Sequence, residues 1–563
     1  MRRLLTALSV SAAVMLSGCA TMNDAPAVQA AGPASQIPPI PVDVVKDLTR
    51  ILSSDAFEGR APGTEGERKT IALLEEQFAA AGLQPGNNGS WLQEVPLVEV
   101  TGSNFRPLVV NGGKEPLSFA QGSDYVAASY RVTPATAVQN SEIVFVGFGI
   151  NAPEKGWNDY AGVDMRGKTA LILVNDPDYA METLDGPFGG RAMTYYGRWT
   201  YKYEEAARQG ATAALIVHET YPAAYGWNVV ESSWTGPQAY AQTADDGASQ
   251  TMANGWLQQE AAGKILASAG MDLASLSQAA RQKGFRAVPL GVNASFGFDN
   301  EIRRFASNNV IGVLPGSQRP DEYVLYTAHW DHLGRCKPDE TGDDICNGAI
   351  DNATGTAALV ALAQAHARAG PAERTLAFLA VTAEESGLLG SEYYSANPVF
   401  PLDQTVGGVN MDALSLAGPA RNVVVVGGGK SQLDDYLASA VNTLGRVTTP
   451  EPTPEKGSYY RSDHFSLAKR GVPMLYVDGG NDLIDGGVEA GEAASADYVT
   501  NRYHGPKDEF DPSWNWSGVE QDLKLYYTLG RSLSDADTWP NWLAGDEFRR
   551  IRDESCAASA SGC

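Results

Sequence analysis

Residues 322–332 read EYVLYTAHWDH, and residues 374–385 read RTLAFLAVTAEE. Each opens with a short apolar, strand-like run and ends on side chains that carry charge or bind metal. VGGVNMDAL at 406–414 follows the same plan and ends near Asp412. NNVIGVLPG (308–316), RNVVVVGGG (421–429) and VPMLYVDGG (472–480) are further strand candidates. Between them lie helix candidates: ATGTAALVALAQAHARAG (353–370), KSQLDDYLASAVNTLG (430–445) and HFSLAKRG (464–471). Strands alternating with helices predict an α/β fold, a three-layer sandwich around a central mixed β-sheet. In such folds ligands gather at the carboxyl ends of the strands.

Those ends carry unusual residues. His329-Trp330-Asp331-His332 closes the first run, Asp351-Asn352 opens a helix, Glu384-Glu385 follows the second run, and Asp412 follows the third. Taken singly, each has an ordinary reading: Asp351 as a helix cap, Glu384-Glu385 as a solvated loop, Asp412 as a turn residue. Together they place several carboxylates and an imidazole at successive junctions. Adjacent carboxylates at the end of a buried strand repel and are expensive to desolvate, and a divalent cation removes that cost. Imidazole with several carboxylates suits Zn²⁺, with Mn²⁺ or Co²⁺ as alternatives. The chain has 6 His. Of these, His366 reads as a surface or boundary residue on a helix, and His218 as a residue without a functional role.

Outward from this region the character changes. Residues 41–83 predict two helices, PVDVVKDLTRILSSDAF and TEGERKTIALLEEQFAAAGL, the second stopped by Gly82 and Pro85. Residues 140–297 contain buried-strand runs such as EIVFVGFGI and TALILV. GKTALILV and AARQGATAALIV resemble a protease-associated domain, a small mainly-β insert without catalytic groups. Arg2 and Arg3 precede a short apolar run ending in Leu16-Ser17-Gly18-Cys19. This start reads as a secretory signal, too short to span a bilayer. Its end resembles a bacterial lipobox, which implies lipidation at Cys19 and, from Ala20, the outer membrane. The expected organisation is a signal peptide at 1–18, a lipidated tether at 19–37, and the first part of the main α/β domain at 38–139. The insert at 140–297, a catalytic domain at 298–545 and a tail at 546–563 follow.

Composition bounds the partners. The chain of 563 residues carries 42 Lys+Arg against 67 Asp+Glu, a net charge of −25. Such a surface repels polyanions, so nucleic acid is not an expected partner. No interior run is apolar over a membrane's width, so contact with a membrane is expected only through the N-terminal lipid. With 5 Cys, and Cys19 taken by lipid, Cys336 with Cys346 and Cys556 with Cys563 are disulfide candidates in an exported, oxidising setting.

The strings HWDHLG, NGAIDNATGTAAL, AVTAEESGLLGSEYY, NMDAL, YRSDHFSLAKRGVP and RYHGPKDEF, between residues 329 and 510, resemble the M28 family of zinc-dependent aminopeptidases. DAFEGRAPGTEGERKT resembles the opening of such peptidases. The resemblance implies two Zn²⁺ per chain. Asp351 bridges both, His329 and Asp412 complete one site, and Glu385 and His504 complete the other. It implies Glu384 as the general base, Asp331 behind His329, a cis peptide at Asp351-Asn352, and Asp463 and His464 lining the pocket. His504 is preferred over His464 as the last ligand because Tyr503-His504 is followed by the acidic Asp508, and Tyr503 matches a position whose phenol steadies a developing oxyanion. His332 is expected to pack locally. The implied activity is removal of N-terminal residues from peptides in a bacterial cell envelope, facing the periplasm. A carboxypeptidase or dipeptidase on the same metals is the alternative, with Arg461 or Lys507 as carboxylate anchors. Glutaminyl cyclisation and a non-catalytic binding protein on the same fold are more distant readings. Nothing in the sequence sets an oligomeric state.

Overall fold

The computed structural model describes residues 37–559 and Cys563. The expected signal, the lipidation site Cys19 and nearly all of the tether lie outside the described residues. Four strands run parallel at the centre of the peptidase-like half: Met474–Gly479, Thr405–Asn410, Arg319–His329 and Arg374–Val381, in that order. Asn422–Val426 flanks one side antiparallel, and the end of the strand Val288–Leu314 flanks the other. Every residue of Arg374–Val381 and of Thr405–Asn410 is buried, as expected of strands covered on both faces.

Alternation along these strands builds the layers. Leu376, Phe378 and Ala380 face one core, with the helices Val42–Leu52, Gly355–Ala369, Leu433–Thr443 and Ser517–Asp535. Ala377, Leu379 and Val381 face the opposite core, with Tyr394 and Leu467 from the helices Leu389–Ala396 and His464–Ala468. The three-layer α/β sandwich with a mixed sheet is thus present. Ser517–Asp535 adds to the helices expected from sequence, burying Val519, Leu523, Tyr526, Leu529 and Leu533 at helical spacing. A second addition is the helix Gly487–Asn501, which occupies much of the acidic, glycine-rich stretch before His504. Among the described residues no helix is long and apolar enough to cross a membrane.

A second body stands on a two-stranded ribbon. Leu92–Asn111 and Val288–Leu314 pair antiparallel from Leu92–Val310 to Asn111–Asn293, so one sheet runs through both bodies. The second core draws on residues from Leu108 to Phe298, and so includes residues ahead of the insert start expected at 140. Its strands Ala135–Phe145, Thr169–Leu173, Ala213–His218 and Ala253–Gln258 are mutually parallel. The helices Trp199–Arg208, Gln259–Ser268 and Leu273–Ala280 accompany them. It docks on the first body at a patch around residues 454–469. Met193 N–H donates to Pro454 C=O at 3.1 Å, and Arg191 pairs with Glu455 at 2.6 Å. Lys469 pairs with Glu204 at 3.0 Å, and the Tyr195 ring lies 5.2 Å from that of Phe465. Cys336 is bonded to Cys346 and Cys556 to Cys563.

His366 departs from the surface position expected of it, because its helix packs on all sides. It is 1% exposed, with Nε2 2.9 Å from the Tyr326 hydroxyl, which itself donates to Tyr526 C=O at 2.8 Å. The imidazole therefore donates from Nε2, and burial pushes its pKa down to about 3. The unfolded chain takes up this proton below about pH 6.5, its ordinary value, while the folded chain does not. Stability should therefore fall as pH drops from about 6.5 towards 3. Denaturant midpoints measured across that range should fall less steeply for His366→Gln. Gly530 meets the same tyrosine: a Cβ there would run into the Tyr326 hydroxyl. Gly530→Ala should lower the thermal midpoint, because overpacking of ~1–3 kcal/mol outweighs a helix-propensity gain of ~1 kcal/mol.

Candidate metal centre

The strand ends deliver the chemistry to one place. His329 is the last residue of its strand, Asp412 lies just beyond Thr405–Asn410, and Glu384 and Glu385 lie just beyond Arg374–Val381. Asp351 sits in the turn Ala349–Thr354 that feeds Gly355–Ala369, and His504 follows Gly487–Asn501. Ala383, Ala413 and His504 itself hold positive φ of 54°, 55° and 56°. Non-glycine residues in this region cost ~1–3 kcal/mol each and cluster where surrounding structure enforces them.

The Asp351 carboxylate lies in the middle. Its Oδ1 is 3.3 Å from His329 Nε2, and its Oδ2 is 3.4 Å from His504 Nε2. His329 Nε2 is also 3.1 Å from Asp412 Oδ1, and His504 Nε2 is 3.1 Å from Glu385 Oε2. Two triads therefore share one aspartate. Glu384 stands further off, with Oε2 4.0 Å from His329 Nε2. Two ligand atoms bonded at ~2.0–2.2 Å to a tetrahedral zinc lie roughly 3.3–3.6 Å apart, close to the spacings within each triad.

Orphaned atoms and charge both favour cations here. Glu385 Oε1 and His332 Nδ1 approach to 2.6 Å, yet neither makes an aligned hydrogen bond. None of the four carboxylates of Asp351, Glu384, Glu385 and Asp412 is ion-paired with a lysine or arginine among the described residues; histidine supplies their ion pairs. Burial, with Asp412 and Glu385 as like-charged neighbours, pushes the Glu384 carboxyl well up, against the pull of His329. Burial opposes charge on His504, but its bonds to Asp351 and Glu385 outweigh that and raise it to about 10. These nitrogen and oxygen donors are of the kind that suit zinc. Two other close groupings are His329 with Glu384 and Asp412, and His332 with Asp351 and Glu385.

His332 thus stands nearer the chemistry than local packing would place it: its ring abuts Glu385 and lies 5.8 Å from that of His504. Asp331 lies behind His329, at its Nδ1. Its carboxylate is 3.8 Å from His329 Nδ1, while its own carbonyl is nearer, at 3.2 Å. The carboxylate accepts the Glu384 N–H at 3.1 Å and so places the Glu384-Glu385 turn. Asp463 and His464 are fully buried, so they lie behind the site instead of lining an open pocket. The His464 ring packs against Tyr459 and Tyr476 at 4.6 and 4.9 Å. Tyr503 is part-exposed and stacks on His504 at 3.8 Å.

A ring of buried polar groups fixes the loops. The Asp351–Asn352 peptide is cis. The Asn352 side chain donates to Met411 C=O at 3.0 Å and accepts Ala413 N–H at 3.1 Å, tying the Asp351 turn to the Asp412 loop. Ser462 donates to Asp412 Oδ2 at 2.6 Å. Asp508 accepts the N–H groups of Ile350 and Asp351 at 3.0 and 3.1 Å. Arg60, fully buried, donates to the carbonyls of Leu52, Trp330, Asn347 and Gly348 at 2.7–3.0 Å. Sequence reasoning noted the segment around Arg60 without giving it a role; a lone arginine in a Gly-Arg pair carries no sign that it will be buried.

Residues 309–527 match the model of Peptidase family M28. The chain is 38% identical over 96 residues to a "Probable zinc metalloprotease" of Pyrenophora teres f. teres, covering 17% of this chain and 20% of that protein. It is 32% identical over 198 residues to a "Glutamate carboxypeptidase 2 homolog" of Caenorhabditis elegans, covering 34% of this chain and 24% of that protein. The chain thus spans about a fifth to a quarter of the length of these curated relatives. Among solved structures it resembles an aminopeptidase from Aneurinibacillus sp. strain AM-1 at 20% identity and a TM-score of 0.49, covering 90% of this chain and 97% of that one.

Arg60→Met should strand four buried carbonyls. An orphaned buried polar group costs ~1–3 kcal/mol. Chemical denaturation should show a loss of several kcal/mol, and metal analysis of the folded fraction should show reduced occupancy.

Proposed function

We propose that this protein is a zinc-dependent exopeptidase of the M28 type that removes N-terminal residues from peptides. The observation that carries this reading is the Asp351 carboxylate, whose two oxygens each face a histidine paired with a further carboxylate. His329 and Asp412 would hold one ion, Glu385 and His504 the other, with Asp351 shared. Bound divalent cations supply charge that polarises a carbonyl and acidifies water. The chain's own groups do the rest. Glu384, close to the triads but outside their shortest contacts, takes a proton from water and returns it to the leaving amine. Asp331 holds Glu384 at its backbone N–H, and Ser462 orients Asp412. A free substrate amine is accommodated beside Asp412, giving preference for the N-terminus. Tyr503, at the exposed rim, is the group placed to donate to a developing oxyanion.

A carboxypeptidase or dipeptidase reading has one observation in its favour. Of the two cations considered as carboxylate anchors, Lys507 is taken up by Glu340 at 2.5 Å, whereas Arg461 is exposed and has no ion-pair partner among the described residues. Export and lipid anchoring at Cys19, with the enzyme facing the periplasm, complete the proposal; Cys19→Ala should abolish labelling by a fatty-acid analogue.

Metal analysis of the purified protein should return two zinc ions per chain. The zinc-loaded protein should hydrolyse aminoacyl-anilides and leave N-blocked peptides intact. Glu384→Gln should retain its metal but lose ~100-fold or more in turnover, the usual scale of general-base loss. Near-normal turnover in that variant, or cleavage of blocked peptides alone, would contradict the assignment.

A further inference from the structure

A cavity of about 770 Å³ opens in the second body, and none of its lining residues belongs to the metal centre. Part of its lining comes from the places where that body's parallel strands end. Phe148 follows Ala135–Phe145 and Leu173 closes Thr169–Leu173. Glu219 and Gln259 come directly after Ala213–His218 and Ala253–Gln258. Strands that run the same way bring their carboxyl ends to one edge, and in open α/β sheets ligands gather at that edge. The helix Leu273–Ala280 lines the same space, with Asp272 at its start and Arg281 at its end.

Four charged side chains face this cavity: Glu219, Glu260, Asp272 and Arg281. Two of them are satisfied locally. Glu260 pairs with Lys264 at 2.8 Å, and Asp272 accepts the N–H and hydroxyl of Ser275 at 2.8 and 2.7 Å. The other two are not. Glu219 is part-buried, and among the described residues its side chain makes no hydrogen bond or ion pair. Burial pushes its carboxyl up, against the pull of Arg281. Arg281 has no carboxylate partner among the described residues either. One of its N–H groups donates to the Tyr179 hydroxyl at 2.8 Å, and its guanidinium lies over that ring, 4.8 Å from the centroid. Elsewhere in this body Arg208 meets Glu205 at 2.7 Å and Lys168 meets Glu142 at 2.8 Å.

Glu219 and Arg281 are thus opposite charges lining one space without touching. Withdrawing such groups from water without a counter-group is costly. An ammonium group on Glu219 and a carboxylate on Arg281 remove that cost together, whereas a ligand of one charge leaves the other group unmatched. The arginine fork suits a carboxylate, which it binds through parallel hydrogen bonds, and Tyr179 already holds the fork in place. The rest of the wall is largely apolar, with Phe148, Leu173 and Val174 buried and Leu273 beside them. It offers an apolar side chain a surface to cover.

We propose that this cavity binds small zwitterions with an apolar side chain, free amino acids or dipeptides, holding the ammonium group on Glu219 and the carboxylate on Arg281. The site is separate from the metal centre and stands whether or not the peptidase reading holds.

Calorimetric titration of the full zinc-loaded chain with leucine tests this. Leucine should bind saturably at millimolar or lower concentration. N-acetyl-leucine lacks the ammonium charge and leucinamide lacks the carboxylate, and each should bind roughly tenfold more weakly or worse, as expected when a charged group loses its partner. Glu219→Gln and Arg281→Gln should each weaken leucine by a similar factor, and Arg281→Lys should keep part of the affinity. Zinc content and thermal midpoint of the ligand-free variants should match the wild type. A parallel titration with Leu-Leu uses the Glu384→Gln background so that the dipeptide is not consumed. Tighter binding of leucine assigns the site to free amino acids, and tighter binding of Leu-Leu assigns it to short peptides. Equal leucine affinity in the wild type and in both variants places leucine at the metal centre and overturns the proposal. Equal binding of leucine, N-acetyl-leucine and leucinamide by the wild type, or no saturable binding of leucine or Leu-Leu, overturns it as well, even if a variant fails to fold.

Discussion

Four carboxyl groups, those of Asp351, Glu384, Glu385 and Asp412, are pressed into one largely buried space, where among the described residues their direct ion pairs are all with imidazoles. Two like charges ~4 Å apart repel by about 4 kcal/mol at an effective dielectric of 20. A cluster of this kind persists only where the surrounding fold enforces it and where cations relieve it. The parallel strands supply the enforcement. Because they run the same way, their carboxyl ends lie on one edge, and residues far apart in sequence arrive together. The loops that leave those ends are then held by buried groups that neutralise backbone polarity: Arg60 on carbonyls, Asp508 on N–H groups and Asn352 on both. The left-handed residues Ala383, Ala413 and His504 show the backbone bending to deliver the same side chains.

The second body is joined by continuity of the sheet and by a separate docking patch. The ribbon of Leu92–Asn111 with Val288–Leu314 ties its base to the peptidase sheet, and segment 191–198 reaches back to residues 454–465 beside the site. Two points of attachment restrain a body far better than one hinge. That arrangement holds segment 191–195 of the insert against residues 454–465 of the other body.

Much of this was legible before the structure. The strands around EYVLYTAH and RTLAFLAV were readable because fully buried parallel strands are short apolar runs, and the helix after Asp351 because alanine and leucine favour it. The residues His329, Asp351, Glu384, Glu385, Asp412 and His504 were nameable because reactive side chains at the ends of apolar strands have few other uses and because their strings resemble a known family. Other features were not legible. Ser517–Asp535 carries a helical period that went unread amid its polar residues. His366 looked like a surface residue because Ala and Arg surround it in sequence; in space its neighbours are Tyr326 and Tyr527. His332 differs little in sequence context from His329, and only the fold turns its ring onto Glu385.

The sequence by itself determined the layered α/β class, the strand ends that carry the donors and the kind of cation they suit, because hydrophobic period and side-chain chemistry are local properties. Tertiary structure alone decided which oxygen of Asp351 faces which histidine, that Arg60 lies buried beneath the loops, and that Met193 and Arg191 from one body meet Pro454 and Glu455 from the other. Those are distances between segments separated by up to hundreds of residues, and they are set by strand order, register and docking, which no local pattern of residues encodes.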